Sequence, residues 1–289
     1  MTERDEVIAE TAATDVFAAF EGDLPAAKRW WSPRDLGRQY LPALIAFLLV
    51  ILTWEALTRL LAVETFVLPK PSEVMASFFE TASVIWAAGM RTLLEAVGGF
   101  TIGVTLAVIT SLAAARWVGF REGMLPFAIA ANATPIVALA PIFNNWFSIT
   151  SPVSKMAVVA VVVYFPVMIN TTRGLLEVEP AELELMRSLA ATPAEVTRRV
   201  RVPRALPFFF ASLKVASALS LIAAIVAEYF GGPQDVLGQY IINRANLFQF
   251  PDAWAAILVA SILGIVFYLL ILGAERVLMP WHVSLRASD

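Results

Sequence analysis

Residues 208–227 read FFFASLKVASALSLIAAIVA, and Lys214 is the single charged residue in this run. A helix rises about 1.5 Å per residue, so about 20 apolar residues cross the roughly 30 Å hydrocarbon core of a bilayer. The run therefore predicts a transmembrane helix. The whole chain has the same character, because 59% of its 289 residues are hydrophobic and 16% are charged, whereas soluble domains are about 45–50% apolar and about 25% charged.

Five further apolar runs predict an all-α polytopic membrane protein with about six transmembrane helices. The predicted spans are Tyr40–Leu61, Leu93–Ala115, Met124–Phe143, Val153–Gly174, Leu206–Phe230 and Ala253–Val277. The third span is the least regular, because it contains three prolines and an asparagine. We expect residues 1–39 to form a cytoplasmic tail with an interfacial segment, residues 40–279 the permeation domain, and residues 280–289 a cytoplasmic C-terminal tail.

The distribution of lysine and arginine predicts the orientation, because cytoplasmic segments of membrane proteins are enriched in both. If the N-terminus is inside, sixteen of the 21 lysines and arginines fall in cytoplasmic segments. The five on the outer side are Arg59, Lys70, Arg91, Lys155 and Arg244. We therefore expect both termini to face the cytoplasm.

The densest cluster of charge lies between the fourth and fifth spans, in AELELMRSLAATPAEVTRRVRVPRALP (residues 181–207). Its first part is predicted to be a short amphipathic helix that begins at Pro180, since proline suits the first helical position. Glu182 near its start and Arg187 near its end complement the helix dipole. Leu183, Met186, Leu189 and Ala190 share one face.

A second helix is predicted to begin at Thr192, where Thr192 and Glu195 form a capping box around Pro193. We expect Pro203 to end this helix and Pro207 to open the next span. The apolar side of the two helices must be buried against another surface. It lies either on its own protein and lipid headgroups, or against a cytosolic partner that binds it as a helix in a groove.

Several kinds of catalysis are excluded by composition. The chain contains no cysteine, and its single histidine, His282, lies beyond the last span, so the apolar body offers no His- or Cys-based catalytic pair. An intramembrane hydrolase would need a histidine or a pair of aspartates within the spans, but Asp235 and Asp252 fall in a predicted outer loop. No G-x-x-x-x-G-K-[ST] phosphate loop is present, and no metal site is predicted.

Polar residues within the spans are candidates for a transport pathway, because lipid does not accept them cheaply. The alternative is that they form hydrogen bonds between helices and only pack the bundle. The candidate pathway residues are Asn132, Thr134, Asn144, Asn145, Tyr164, Asn170, Ser217 and Glu228.

The sequence also predicts roles for two glutamates and three glycines in the spans. Glu228 is expected at the outer surface, as a gate or a salt-bridge partner, and Glu95 is expected to make an interhelical hydrogen bond. Gly98, Gly99 and Gly103 are expected to permit close helix approach. Fixed positive charge is expected to be missing from the outer half of the pathway.

The charged loop resembles the cytoplasmic EAA loop of ABC importer permeases, in which E-A-A is followed by three residues, G, nine residues and I-x-L-P. Glu184 takes the glutamate position, Ala190 the glycine position, and Val200 and Pro203 the ends of I-x-L-P. Alanine in place of glycine indicates either that the turn needs no positive φ or that the turn lies nearer Thr192. VLPKPSEVMASF (67–78) and ERVLMPWH (275–282) are similar to the nitrate, taurine, alkanesulfonate and bicarbonate permeases.

The resemblance implies a non-catalytic permease subunit of an ATP-driven importer in the bacterial inner membrane. Its loop would couple to two cytosolic ATPase subunits, which would hold ATP and Mg; this chain would bind no cofactor. A second permease copy, forming a homodimer, and an extracellular or periplasmic substrate-binding protein would complete the assembly. The resemblance assigns coupling to Glu182, Glu184, Arg187, Ala190, Thr192, Glu195, Val200 and Pro203.

The substrate class remains open between two groups of small solutes. ALAPIFNNWF (138–147) resembles permeases for pyrimidine precursors or riboflavin, which favours a planar heterocycle over a small anion such as nitrate, sulfonate, taurine or bicarbonate. The alternative function is a secondary transporter or channel without an ATPase. That function would need a membrane-buried ionic relay, for which the sequence offers only Glu95.

Overall fold

The computed structural model describes residues 33–279, without the side chains of residues 33–40 and 136–137. Residues 1–32 of the predicted N-terminal tail (1–39) and the predicted C-terminal tail at 280–289, including His282, lie outside the described residues; residues 33–39 are helical. Between residues 33 and 279 the chain is helical and contains no strand. The helices are α1 Pro33–Leu60, α2 Pro71–Glu80, α3 Ala82–Arg116, α4 Val118–Ala131, α5 Ile136–Phe147, α6 Pro152–Leu176, α7 Pro180–Ser188, α8 Pro193–Val196, α9 Val202–Tyr229, α10 Leu237–Asn246 and α11 Phe250–Leu278.

Five helical segments are long and apolar enough to cross a membrane. They are Leu41–Leu60, Ala82–Arg116, Pro152–Leu176, Pro193–Tyr229 and Phe250–Leu278. The all-α polytopic prediction is therefore confirmed. The described chain divides into two units at Glu55, and the first unit consists of the helical residues that precede it in α1.

The third predicted span is not one helix, and this corrects the prediction of six continuous spans. It consists of α4 and α5, separated by residues 132–135. Tight turns close the first half, since the amides of Ala133 and Thr134 donate to the carbonyls of Ala130 and Ala131. Pro135 disfavours helical backbone at the preceding residue, which explains why the helix stops here.

The second predicted span begins too late, because α3 starts at Ala82 rather than Leu93. Its 35 residues would be about 50 Å long, well beyond the roughly 30 Å of a hydrocarbon core. Part of α3 therefore extends past the core. Charged Arg91 hid this extension in the sequence, because it interrupts the apolar run just before Leu93.

Helices α3, α6 and α9 form the centre of the bundle, in which α6 packs against both of the others. The prediction of close helix approach is confirmed at Gly99 and Gly103. A Cβ atom at either position would lie 2.5 Å from a backbone oxygen of α6, that of Met156 or Ala160. Gly98 differs, because a Cβ there would meet only the flexible end of the Met156 side chain.

The bundle has two ends with different chemistry. We call one the basic end, which carries Arg116, Arg173, Arg201 and Arg204, and the other the Lys155 end. Helix α4 follows directly after Arg116 and packs against α3 and α6. Helix α5 packs at the Lys155 end, where Ala140 contacts Val158 and Ala227. The third predicted span, now α4 and α5 with the break at residues 132–135, therefore runs from one end of the bundle to the other.

Candidate functional site

The loop at the basic end folds locally as its sequence predicts. Helix α7 begins with Pro180 in its first turn and ends in a tight hydrogen-bonded turn. The amide of Ala191 donates to the carbonyl of Met186 at 3.0 Å, and the amide of Ala190 donates to the carbonyl of Arg187 at 2.9 Å. These two bonds define a Schellman motif, which places its C′ residue in the left-handed region.

Ala190 has a φ of 50°, so the interpretation that this turn needs no positive φ is wrong. The alternative that the turn has moved toward Thr192 is also wrong, since Ala190 itself is the C′ residue. The turn keeps the backbone for which the family pattern uses glycine. Ala190 adopts it at a steric cost of about 1–2 kcal/mol, because its Cβ crowds the following carbonyl.

The second helix of the loop is capped as predicted. The Thr192 hydroxyl accepts from the Glu195 amide at 3.3 Å, and the Glu195 carboxylate accepts from the Thr192 amide at 2.8 Å. Pro203, however, does not end this helix, and Pro207 does not open the next one. The helix continues through a π-turn at Thr197–Arg201 into α9. The wider turn accommodates the missing amide and the ring of Pro203.

An ion pair fixes α7 to the base of α9. The Arg204 guanidinium donates to Glu182 at 2.5 Å and to Glu179 at 3.3 Å. The hydrogen bond from Arg204 holds the pKa of the Glu182 carboxyl below its ordinary value. Arg201 donates to the carbonyl of Ala115 at 2.8 Å and so caps the end of α3. No sequence pattern indicated the role of Arg204, because its partners lie 22 and 25 residues away.

The two helices present an exposed surface, which we call the coupling surface and define as residues 180–196. None of its residues is buried. Leu185 and Leu189 are 60% and 67% exposed, so Leu189, on the predicted apolar face, is not covered by the rest of the described chain. Of the predicted coupling residues, Glu184, Arg187, Ala190, Thr192 and Glu195 are exposed, and Glu182, Val200 and Pro203 are half-buried.

The predicted pathway residues are not all accessible. Asn132, Thr134 and Asn145 are exposed, Tyr164 and Asn170 are half-buried, and Asn144, Ser217 and Glu228 are buried within the chain. The buried members are engaged internally: Asn144 donates to the carbonyl of Phe230 at 3.3 Å, and Ser217 donates to that of Lys214 at 2.8 Å. Asn132 and Thr134 lie at the break between α4 and α5.

The structure corrects three expectations about charge at the Lys155 end. Glu228 is not at the surface but is fully buried, and Lys155 is also fully buried. Fixed positive charge is therefore present in this half of the bundle, although it is not exposed. Glu95 lies with them at 5% exposure, so the sequence underestimated the number of buried ionic groups. The only signal for Lys155 in the sequence was a charge at the third residue of the predicted span Val153–Gly174.

The family model described as binding-protein-dependent transport system inner membrane component matches residues 99–281. The chain belongs to this family. It is a multi-pass permease subunit of the ABC importer type, in a family whose membrane subunits are generally non-catalytic and rely on a partner ATPase for ATP hydrolysis.

The chain matches individual relatives over almost their whole length. The formylaminopyrimidine transport permease of Halalkalibacterium halodurans is 29% identical over 84% of this chain and 97% of its own. The riboflavin transport system permease of Chloroflexus aurantiacus is 30% identical over 87% and 95%. The taurine transport system permease of Escherichia coli is 23% identical over 88% and 94%.

A solved structure has the same fold. The crystal structure of an amino acid ABC transporter matches 70% of this chain and 97% of its own, with a TM-score of 0.56 and 19% identity. The family model and the taurine permease confirm, at the level of the family, the resemblance to sulfonate and taurine permeases that the sequence predicted.

Proposed function

We propose that this permease couples to cytosolic ATPase subunits through the coupling surface and imports a small planar heterocycle. The observation that carries the coupling role is a pre-folded helix pair that leaves the bundle at the basic end with no buried residue. Its basic end would face the cytoplasm. A second copy of the chain and an extracellular or periplasmic binding protein would complete the importer.

The internal anchoring of the coupling surface supports this role. A helix of nine residues is marginal in isolation, yet α7 is held by Arg204 at its base, by the Schellman turn at its end and by the capping box beyond it. Force applied to α7 would therefore reach α9 directly, since Arg204 belongs to α9 and α8 runs into α9 without a break.

The exposed side chains support a protein partner rather than lipid. Leu185 and Leu189 supply apolar contact, while Glu184, Arg187 and Glu195 supply charges of both signs. A surface that only binds anionic headgroups would be enriched in basic residues alone. Mixed charge around exposed leucines suits a groove on a folded protein.

The substrate proposal rests on the relatives and on the accessible side chains. Two relatives are named for formylaminopyrimidine and riboflavin. Asn132, Thr134 and Asn145 are exposed and offer amide and hydroxyl groups. Phe143 packs against Trp146 and Phe147, with centroid distances of 5.5 and 6.2 Å, and aromatic faces stack on planar rings. Lys155, which donates a hydrogen bond to Asn144, is buried and is therefore not accessible to an anion.

The absence of cysteine from the sequence permits a direct test by single-cysteine cross-linking in native membranes. Leu185→Cys on the coupling surface is expected to cross-link to an ATPase subunit. Leu247→Cys, which is 65% exposed at the Lys155 end, is the matched control and is expected to react only with an impermeant thiol reagent added from outside. Cross-linking of the ATPase to Leu247→Cys, or none to Leu185→Cys with ATPase present, would contradict the coupling assignment.

The substrate class is tested separately, with the assembled importer in proteoliposomes. ATP-dependent uptake of a pyrimidine or flavin, competed by the unlabelled compound and not by taurine or nitrate, is the expected result. Uptake of taurine or nitrate alone would leave the permease role intact and overturn the substrate proposal.

A further inference from the structure

Three ionisable side chains from three helices are buried at the Lys155 end, close enough for their charges to interact. Glu95 lies 21 residues before the end of α3 at Arg116, and Lys155 lies 21 residues before the end of α6 at Leu176. At about 1.5 Å per residue, both are some 31 Å from the basic end, which is about the thickness of a hydrocarbon core. Glu228, near the end of α9, contacts Glu95 and completes the group.

Glu228 is the attachment point for the segment 231–238. Its Oε2 atom accepts from the Gly238 amide at 2.6 Å, and its backbone carbonyl accepts from the Gln239 side chain at 2.6 Å. The Leu237 amide donates to the hydroxyl of Thr92 on α3 at 2.9 Å. This close approach requires glycine, because a Cβ on Gly238 would lie 2.6 Å from the Glu228 Cβ.

Lys155 joins the group from the side of α5. Its Nζ donates to the Asn144 Oδ1 at 3.2 Å and to the carbonyl oxygen of Ile149. Asn144 in turn donates to the carbonyl of Phe230. The lysine thus ties the start of α6 to α5, while Glu228 ties the end of α9 to the first turn of α10.

The two carboxyl groups show an unfilled hydrogen-bonding requirement. Glu95 Oε2 and Glu228 Oε1 are buried and receive no hydrogen bond from any described residue. The Glu95 side chain and the Thr92 hydroxyl both lie within hydrogen-bonding reach of Glu228, so Thr92 is a possible donor to Glu228, whereas Glu95 has Glu228 as its neighbour. A buried acceptor without a donor costs about 1–3 kcal/mol, and more when it is charged. A single proton between the two carboxyls would convert one of them into the missing donor.

No other charged side chain among the described residues nearby balances the two carboxyl groups, because each of these charges is already paired. Among the described residues on the helices around the group, Arg91 pairs with Asp235, Asp252 with Arg244, and Lys214 with Glu275. Tyr229, a neutral phenol next to Glu228 in the chain, is the other titratable side chain that interacts with that carboxyl. Two carboxylates and one ammonium would leave one negative charge buried; one added proton makes the group neutral.

We propose that Glu95 and Glu228 share one proton, and that the resulting neutral Glu95–Glu228–Lys155 group is a latch. It holds the Lys155 ends of α3, α6 and α9 and the segment 231–238 together as one unit. The latch is independent of the substrate and of the coupling surface. It would make the Lys155 end move as a block when the helices rearrange.

The charge balance gives each variant a distinct expected result at pH 7. Glu95→Gln keeps the group neutral and offers a permanent N–H donor to Glu228, so the apparent Tm in detergent should change by about 2 °C or less. Glu228→Gln removes the charged acceptor of the Gly238 amide and should lower the Tm by roughly 6 °C or more. Lys155→Met should also lower the Tm at pH 7 and recover part of it at acid pH, where both carboxyls can be protonated.

A spectroscopic measurement on the unaltered protein keeps the proposal testable if Glu228→Gln does not fold. Infrared spectroscopy should show the carbonyl band of a protonated carboxylic acid that persists at neutral pH. The band should be lost in Glu95→Gln and retained in Glu64→Gln, a matched change outside the helices. Absence of the band, or a loss of stability in Glu95→Gln as large as in Glu228→Gln, would overturn the shared proton.

Discussion

The contact between α3 and α6 provides a quantitative test of the fold. A Cβ on Gly99 would lie 2.5 Å from the Met156 carbonyl oxygen and 2.5 Å from the Val159 Cβ. Ordinary van der Waals contact begins at 3.4 Å, so Gly99→Ala requires the two helices to separate by about 0.9 Å (3.4 minus 2.5). The obstructing atoms belong to backbone or to a β-branched side chain, and they cannot rotate away.

The expected magnitude follows from two opposing terms. Overpacking a tight contact costs typically 1–3 kcal/mol, and a backbone obstruction places Gly99→Ala at the upper end. Alanine recovers about 1 kcal/mol of helix propensity relative to glycine. The net loss is therefore about 2 kcal/mol, which corresponds to a Tm lower by roughly 4–8 °C for a protein of this size.

Gly98→Ala is the matched control, because it changes the adjacent residue in the same helix. Its Cβ would meet only the Met156 side-chain atoms, the nearest at 2.8 Å, and that flexible end can move aside. The helix-propensity gain should then leave the Tm unchanged or slightly higher. Both variants would be compared by thermal unfolding after detergent purification. Equal Tm values for Gly99→Ala and Gly98→Ala would refute the assigned close approach.

Three further changes address the coupling surface by amide hydrogen exchange. Ala190→Gly should slow exchange across residues 180–191 by about two- to fivefold, because it removes a Cβ from a left-handed residue at a net gain of roughly 0.5–1 kcal/mol; unchanged or faster exchange would contradict the Schellman turn. Thr192→Ala should cost about 1 kcal/mol by removing the N-cap and speed exchange around Glu195 about fivefold, whereas Thr192→Ser should not. Because the pKa of Glu182 is lowered, its contact with Arg204 should be present above the ordinary carboxyl pKa and be lost as the pH falls through the lowered value. The protection factors of the α7 amides, which are corrected for the pH dependence of intrinsic exchange, should therefore fall in acid, and Arg204→Gln should abolish that pH dependence.

The sequence was most successful where structure is local. The length of the apolar runs predicted the membrane helices. The loop residues predicted where its two helices begin, at Pro180 and at the N-cap Thr192. The spacing of Gly99 and Gly103 correctly indicated a tight helix contact, because positions four apart share one face of a helix. Membership of the permease family followed from the loop and its flanks together.

Sequence patterns failed where the deciding interaction was distant or where two rules competed. The pattern could not show that Pro203 would be absorbed by a π-turn, because proline ends helices more often than it is accommodated within them. The pattern indicated an irregularity near the prolines of the third span. It did not show that the span divides into two separate helices, α4 and α5. At Ala190 the residue type suggested ordinary backbone, and the hydrogen bonds of the turn imposed a positive φ instead.

By itself, the sequence determined a helical membrane protein of a permease family with a folded, charged loop, since length, hydropathy and capping are properties of neighbouring residues. The tertiary structure alone decided which charges are buried together. Glu95, Lys155 and Glu228 are far apart in the chain and share no periodicity, and each sits near the end of an apolar run where a charge is unremarkable. Only the packing of three helices buries them at the same end of the bundle, because burial depends on neighbours that the local sequence does not specify.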